Sequence, residues 1–367
     1  MNRYIETLSL LRRENNFRAL PSGAPDKGII DLSSNDYLGI AADSNLHREF
    51  MDGEGRELSL SASASRLLAA DQREFQRFES LLNEYYGGRA LLFNSGYHAN
   101  SGAVASLAKN GTLIVADKLV HASIIDGIML SRAPFERFKH NDVNHLDRIL
   151  AKKAADYERV LIVVESVYSM DGDSAPLEDI ASIKSLYPNA LLYVDEAHSL
   201  GVCGPSGLGL AVDIEGVDFI IGTLGKAIGS VGAFIVSRSP QMFDYFVNTA
   251  RSLIFSTALP PLNVAWSRFV MERVPEMEER RTHLRELSSL LAQALGSHSA
   301  PSHIQPLITG SSESALQLSA ALLERGFKVL PIRTPTVPPG TERLRFSLSA
   351  DLKNDDIIRL QEVMTTL

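Results

Sequence analysis

Residues 160–198 read VLIVVESVYSMDGDSAPLEDIASIKSLYPNALLYVDEAH. Two apolar runs, 160–164 and 190–194, are each followed at once by carboxylates: Glu165 after the first, Asp195 and Glu196 after the second. Their hydrophobicity is continuous rather than alternating, which marks buried strands of a parallel sheet, covered on both faces. Four similar runs lie outside this stretch: ALLF (90–93), TLIVA (112–116), DFII (218–221) and GAFIV (232–236). Helical patterns separate several of them. In 72–86, for example, Phe75, Phe78, Leu81, Leu82 and Tyr85 share one face. This alternation predicts an α/β fold built on an open sheet.

After about residue 240 the texture changes. Helical candidates at 264–274 and 276–295 follow one another, with a Gly-Ser-His-Ser turn at 296–299 and strand candidates near 305–310 and 344–349. The first 30 or so residues read as a helix and a Pro/Gly-rich arm. The expected organisation is therefore an N-terminal helix and arm (1–45), a large domain (46–240) and a smaller α+β C-terminal domain (241–367), with Ser239-Pro240 near the boundary.

The 367 residues carry 36 Lys and Arg against 44 Asp and Glu, a net charge of −8. That balance argues against a nucleic-acid surface, which needs clustered cations to replace released counterions. With 45% hydrophobic and 22% charged residues, a packed core is expected rather than disorder. Cys203 is the single cysteine, so neither an intrachain disulfide nor a Cys-rich zinc site is available. No apolar run reaches about 18 residues, and the opening MNRYIETLSLLRRENNF has no signal-peptide apolar block. A cytoplasmic protein with no membrane, nucleic-acid or metal partner is expected.

In an open parallel sheet, ligands bind beyond the carboxyl ends of the strands. Polar groups gather there after five runs: Asn94-Ser95-Gly96-Tyr97, Asp117 with His121 beyond it, Glu165-Ser166, Asp195-Glu196-Ala197-His198, and Gly222-Thr223-Leu224-Gly225-Lys226. Lys226 is the only lysine between Lys184 and Lys328 and is flanked by small residues, a setting in which an amine can be desolvated into a nucleophile. A solvated loop lysine is the plainer reading. Asp195 ends an apolar run and needs a partner for its buried carboxylate, such as a pyridinium nitrogen, or else it caps a helix. For His198 and His121, taken singly, a packed, hydrogen-bonded or surface histidine is the plainer reading. Ser95-Gly96-Tyr97 precedes a helix-compatible stretch whose free N–H groups suit a phosphate, although Ser and Gly also make ordinary turns. Together, a lysine for a Schiff base, an aspartate for a ring nitrogen and a phosphate cup point to pyridoxal 5'-phosphate. Neither a P-loop nor a Gly-x-Gly-x-x-Gly fingerprint opens a helix.

With these positions in view, the sequence resembles the α-oxoamine synthases, fold-type I pyridoxal-phosphate enzymes. The resemblance runs through LSSNDYLGI (32–40), NSGYHAN (94–100), DKLVHASIIDG (117–127), ESVYSMDGDSAPL (165–177), YVDEAHSLGVCGPSGLG (193–209), GTLGKAIGSVGAFI (222–235), IFSTALPP (254–261) and PTVPPGTERLRFSLSA (335–350). It implies a large, mixed, mostly parallel sheet domain plus the smaller α+β domain. It also implies that Lys226 holds the cofactor and serves as acid and base at the substrate α-carbon, that Asp195 pairs with the pyridine nitrogen and that His121 stacks on the ring. Ser166 and His198 would lie near its phenolic oxygen. Gly96, Tyr97 and Thr223 would hold the phosphate, and Ser256 and Thr257 would help with that of a neighbouring subunit, hence a homodimer with shared active sites. Arg345 would grip the amino-acid carboxylate, with Asn35 close by.

Members of the family condense an amino acid with an acyl-CoA. The compact length, Asn16-Phe17-Arg18 and Ala64-Ser65-Arg66-Leu67 resemble those that join L-alanine to pimeloyl-CoA or its carrier-protein thioester, with Arg18 as a substrate-side contact. Other members, such as those joining glycine to acetyl-CoA, and aminotransferases or lyases are the alternatives. The chain departs from the family pattern at Ser61 to Ser65, where relatives often carry glycines, at Ala70-Asp71-Gln72 and at Asp351.

Overall fold

The computed structural model describes residues 1–20, 28–297 and 300–367. The expected arm at 21–27 and the His298-Ser299 half of the expected turn lie outside the described residues. The chain forms two compact units. One contains Met1–Tyr37, Ser169–Asp173 and Thr282–Leu367, and the other Leu38–Tyr168 and Ser174–Arg281. The change of texture at Ser239-Pro240 falls inside the second of these.

In the larger unit, seven strands form one sheet: β1 (Arg89–Phe93), β2 (Thr112–Asp117), β3 (Phe135–Phe138), β4 (Arg159–Glu165), β5 (Ala190–Asp195), β6 (Phe219–Thr223) and β7 (Ala233–Ser237). Their order is β1-β7-β6-β5-β4-β2-β3. All six apolar runs become strands, and most neighbours are parallel. The expectation of a parallel strand fails at β7, which is antiparallel to both β1 and β6. Continuous hydrophobicity reports burial on two faces and carries no information about direction. The edge strand β3 has no such run, because Phe135-Glu136-Arg137-Phe138 buries only Phe138.

The sheet's core is aliphatic and aromatic, with Ile114, Leu161, Val163, Tyr193, Phe219 and Ile221 among its fully or nearly fully buried residues. Each such side chain contributes about 2 kcal/mol by leaving water. Helix Gly96–Leu107 packs on helix Ala122–Ser131. A Cβ at Gly127 would come within 2.9 Å of Val104 Cβ and 3.1 Å of Asn100 O, so glycine sets how closely these two helices approach. The predicted helix at 72–86 is observed as Arg73–Tyr86, burying Phe75, Phe78 and Leu82 against helix Pro261–Arg273.

In the smaller unit, Arg343–Ser347 is the central strand of a three-stranded antiparallel sheet, between Leu330–Ile332 and Ile304–Ile308. Helices Asn2–Arg13, Ser312–Glu324 and Asn354–Met364 belong to the same unit. Among the described residues, no helix is long and apolar enough to cross a membrane.

Candidate active site

The directions of β1, β2, β4, β5 and β6 bring their carboxyl ends to one edge of the sheet. A cavity of about 140 Å³ opens there, lined by Gly96, Tyr97, Asn100, His121, Ser123, Glu165, Asp195, Ala197, His198, Thr223 and Lys226. All of these belong to the larger unit. Seven predicted site residues are thus brought together: Gly96, Tyr97, His121, Asp195, His198, Thr223 and Lys226.

Asp195 is the last residue of β5 and is only 3% exposed. Its carboxylate accepts hydrogen bonds from Asn100 Nδ2 at 2.7 Å and from the backbone N–H of Ala197 at 2.9 Å. Asn100 is itself fixed, because its Oδ1 accepts from the Tyr193 hydroxyl at 2.7 Å and its amide also donates to Ser123 Oγ at 3.0 Å. Neutral dipoles therefore orient the carboxylate, and no cationic side chain of the described residues is bonded to it. A buried acid held in this way complements a cationic or proton-bearing ligand.

Lys226 Nζ lies 2.7 Å from His198 Nε2, so the amine and the imidazole share one hydrogen bond at the cavity wall. The solvated-loop alternative for Lys226 is not what the fold makes of it. His121 caps helix Ala122–Ser131, its Nδ1 accepting from the Ser123 N–H at 3.2 Å. Crowding by protein atoms holds the imidazole below the usual histidine pKa. Asp195 pulls it upward, and the Lys226 cation lowers it further. The flat ring stands beside the cavity, with the balance shifted toward its neutral form.

Helix Gly96–Leu107 begins at the same place. Its cap is Ser95, whose Oγ accepts from the His98 N–H at 3.2 Å. The N–H groups of Gly96 and Tyr97 belong to the first turn, which has no intrahelical acceptor for them. Thr223 Oγ1 sits opposite, 3.3 Å from where a Cβ on Gly96 would stand, so a larger residue would crowd the threonine hydroxyl. Paired N–H groups at a helix start, with a hydroxyl across from them, suit a phosphate. The side chain of Tyr97 turns elsewhere and donates to Asp126 Oδ2.

Ser166 does not line the cavity. It is fully buried, and its hydroxyl lies 2.7 Å from Glu196 Oε2 and 2.6 Å from Ser199 Oγ. Glu196 also accepts from the N–H groups of Leu210 and Ala211, at 3.1 and 2.5 Å, and so ties the 201–211 loop to the end of β5. Burial raises the Glu196 pKa to about 7 against these stabilising bonds. Gly209 has φ +100°, and a Cβ there would lie 2.7 Å from Glu196 Oε2, so the loop approaches the carboxylate only as glycine. Ser256 and Thr257 also lie outside the cavity lining. Thr257 bridges to Ser65, and its carbonyl accepts from Asn94 Nδ2 at 2.5 Å.

Arg345, Asn35 and Arg18 belong to the smaller unit. Arg345 is 3% exposed. Its Nε donates to Ser169 O at 2.6 Å, and both Nη atoms donate to Asn35 Oδ1 at 3.1 Å. Nη2 also reaches the Tyr37 hydroxyl at 3.4 Å. Arg18 is exposed and donates to Thr336 Oγ1 at 2.8 Å. Its charge lowers the pKa of Arg333, second to the burial of Arg333 itself. The sequence reading gathered Glu165 and Glu196 at the strand ends without giving either a role, and did not single out Asn100 or Arg333. Glu165 stood in plain view after an apolar run, whereas Asn100 meets Asp195 only through the fold.

The sequence profile of the family "Aminotransferase class I and II" matches residues 27–363. A Glaesserella parasuis protein named "Putative 8-amino-7-oxononanoate synthase" is 46% identical over 98% of this chain and 99% of its own length. Among solved structures, the Sphingomonas wittichii serine palmitoyltransferase superposes with a TM-score of 0.85 at 33% identity, covering 92% of this chain and 86% of that one. The 8-amino-7-oxononanoate synthase of Francisella tularensis gives 0.78 at 29% identity, covering 93% and 98%.

Proposed function

The chain belongs to the α-oxoamine synthases, pyridoxal-phosphate-dependent acyltransferases of fold-type I within the class I and II aminotransferase family, and from that premise we propose that it condenses L-alanine with a pimeloyl thioester. The thioester is pimeloyl-CoA or its carrier-protein equivalent. A carbon–carbon bond forms between the alanine α-carbon and the acyl carbonyl, the C–S bond breaks to release thiol, and the alanine carboxylate leaves as carbon dioxide. The product is 8-amino-7-oxononanoate, and the step belongs to biotin synthesis.

The observation that carries the pyridoxal-phosphate chemistry is the convergence of Lys226, Asp195 and a helix N-terminus on one cavity, and the similarity to relatives named 8-amino-7-oxononanoate synthase supports the choice of substrates. These residues fit pyridoxal phosphate: Gly96, Tyr97 and Thr223 for the phosphate, His121 against the ring, Asp195 at its nitrogen, Lys226 and His198 at the reacting end. When bound, the cofactor supplies an electron sink for the carbanion at the substrate α-carbon. Asp195, held by Asn100 and the Ala197 N–H, would keep a proton on the ring nitrogen. Lys226 Nζ carries the proton to and from the α-carbon, with His198 Nε2 in hydrogen-bond reach. Arg345 presents a rigid fork to the amino-acid carboxylate, and Arg18 serves the acyl side. A homodimer, with Ser256 and Thr257 serving the neighbouring subunit's phosphate, completes the proposal.

The test is thiol release from pimeloyl-CoA in the presence of pyridoxal phosphate and L-alanine. Glycine with acetyl-CoA and L-serine with palmitoyl-CoA are run in parallel. Release confined to the first mixture, with the mass of 8-amino-7-oxononanoate, is expected. Release confined to either of the others overturns the substrate assignment.

A further inference from the structure

Glu165 takes no part in the chemistry described above, yet it lines the same cavity and is only 2% exposed. It is the last residue of β4 and stands in parallel register with Asp195, the last residue of β5. Paired residues on neighbouring parallel strands point to the same face, about 4.8 Å apart along the hydrogen-bonding direction. Two carboxyls so placed and so deeply buried do not both ionise readily.

Their surroundings are unequal. Asp195 accepts from the Asn100 amide and the Ala197 N–H. Glu165 accepts from the backbone N–H of His121, and its Oε1 is buried without a partner. An ionised carboxylate wants acceptor sites filled, whereas a protonated one needs a single acceptor for its O–H. The charged and titratable groups around Glu165 are Asp117 from β2, His121, Tyr168, Asp195 and Lys226. Burial is the strongest influence and favours its neutral form. Asp195 and Asp117 reinforce that, and Lys226 and the His121 N–H oppose it.

We propose that Glu165 is the second carboxyl of this cavity, carrying a proton where Asp195 carries a charge, and that as a neutral hydrogen-bond donor it positions the bound cofactor. The inference rests on the pyridoxal-phosphate site proposed above. Its role is positioning: Glu165 gives the ring a donor without adding a second negative charge beside Asp195.

The first test uses the apoprotein and needs no turnover. Infrared spectroscopy at pH 8.5, above the value of about 7 for Glu196, should show the C=O stretch of a protonated carboxylic acid. Labelling glutamate with ¹³C should move that band in the wild type, and Glu165→Gln should remove it. The labelling arm holds even where the variant fails to fold. Absence of a glutamate-derived acid band, or its persistence in a folded Glu165→Gln protein, overturns the proposal. The second test is the pyridoxal-phosphate dissociation constant, read by absorbance titration. Glu165→Gln keeps a neutral donor and should stay within about twofold of the wild type, while Glu165→Ala should bind about tenfold more weakly. Equal weakening in the two variants contradicts a neutral donor. Lack of thiol release with intact infrared and binding results would instead count against the substrate assignment alone.

Discussion

Arg343 and Arg345 stand two residues apart on one strand of the smaller unit, both buried, at 5% and 3% exposure. Arg343 Nη1 meets the Asp171 carboxylate at 2.5 Å, and its other bonds go to the carbonyls of Met170 and Thr341. Among the described residues, Arg345 is held by neutral groups alone: the Ser169 carbonyl, the Asn35 amide and the Tyr37 hydroxyl. The cavity of the larger unit repeats the second pattern with the sign reversed, since Asp195 is held by an amide and a backbone N–H. A buried ion with its own counter-ion is finished as structure. One oriented by dipoles alone is pre-organised for a charge that arrives with a ligand.

The largest way to break that comparison is at the cavity's cation. Lys226→Ala should lower turnover by about 10⁴-fold, because it removes the one amine that lines the cavity among the described residues. Near-normal thiol release by this variant would remove Lys226 from the mechanism. The two arginines then separate structure from binding. Arg343→Ala should cost about 2 kcal/mol in denaturant unfolding, since it removes the charged hydrogen bond to Asp171, whose carboxylate is one-third exposed. Arg345→Ala should instead raise KM for the amino acid by about a hundredfold, with a smaller loss of stability. A reversed pattern, with Arg343 governing KM, would mean that the counter-ion criterion picked the wrong residue.

Glu196 sharpens the comparison as a buried acid with neutral donors that faces a loop rather than the cavity. Its folded-state pKa of about 7 lies above the ordinary carboxylate value of 4.5. Between those values the folded protein binds more protons than the unfolded chain, so stability should fall as pH rises from about 4.5 to about 7 and level off above. The change is on the order of 3 kcal/mol. Glu196→Gln should flatten that part of the curve, as read by urea unfolding across pH. The smallest effect is expected at Asn100. Asn100→Ala removes one oriented donor from Asp195 and should weaken pyridoxal-phosphate binding about tenfold.

Much of this was legible in the chain because burial leaves a simple trace. Strands covered on both faces must be apolar throughout, so six of the seven strands of the large sheet announced themselves. The seventh, Phe135–Phe138, lies at the sheet edge and needs only one buried side chain. The reversal of Ala233–Ser237 left no trace, since an antiparallel strand in the middle of this sheet is buried just as its neighbours are. Lys226, Asp195 and Thr223 could be found by position, at or just beyond strand ends. Ser166 occupied an equally suggestive position, but its hydroxyl is engaged by Glu196 and Ser199, a choice made by packing across 30 residues. Asn100 reaches Asp195 across 95 positions, which no local pattern encodes.

The most direct test of the account is where pyridoxal phosphate attaches. The protein is mixed with the cofactor, reduced with borohydride, digested and analysed by peptide mass spectrometry. The account predicts that the added pyridoxyl mass falls on the peptide containing Lys226 and is lost in Lys226→Ala. Label on another lysine with Lys226 unmodified would contradict it.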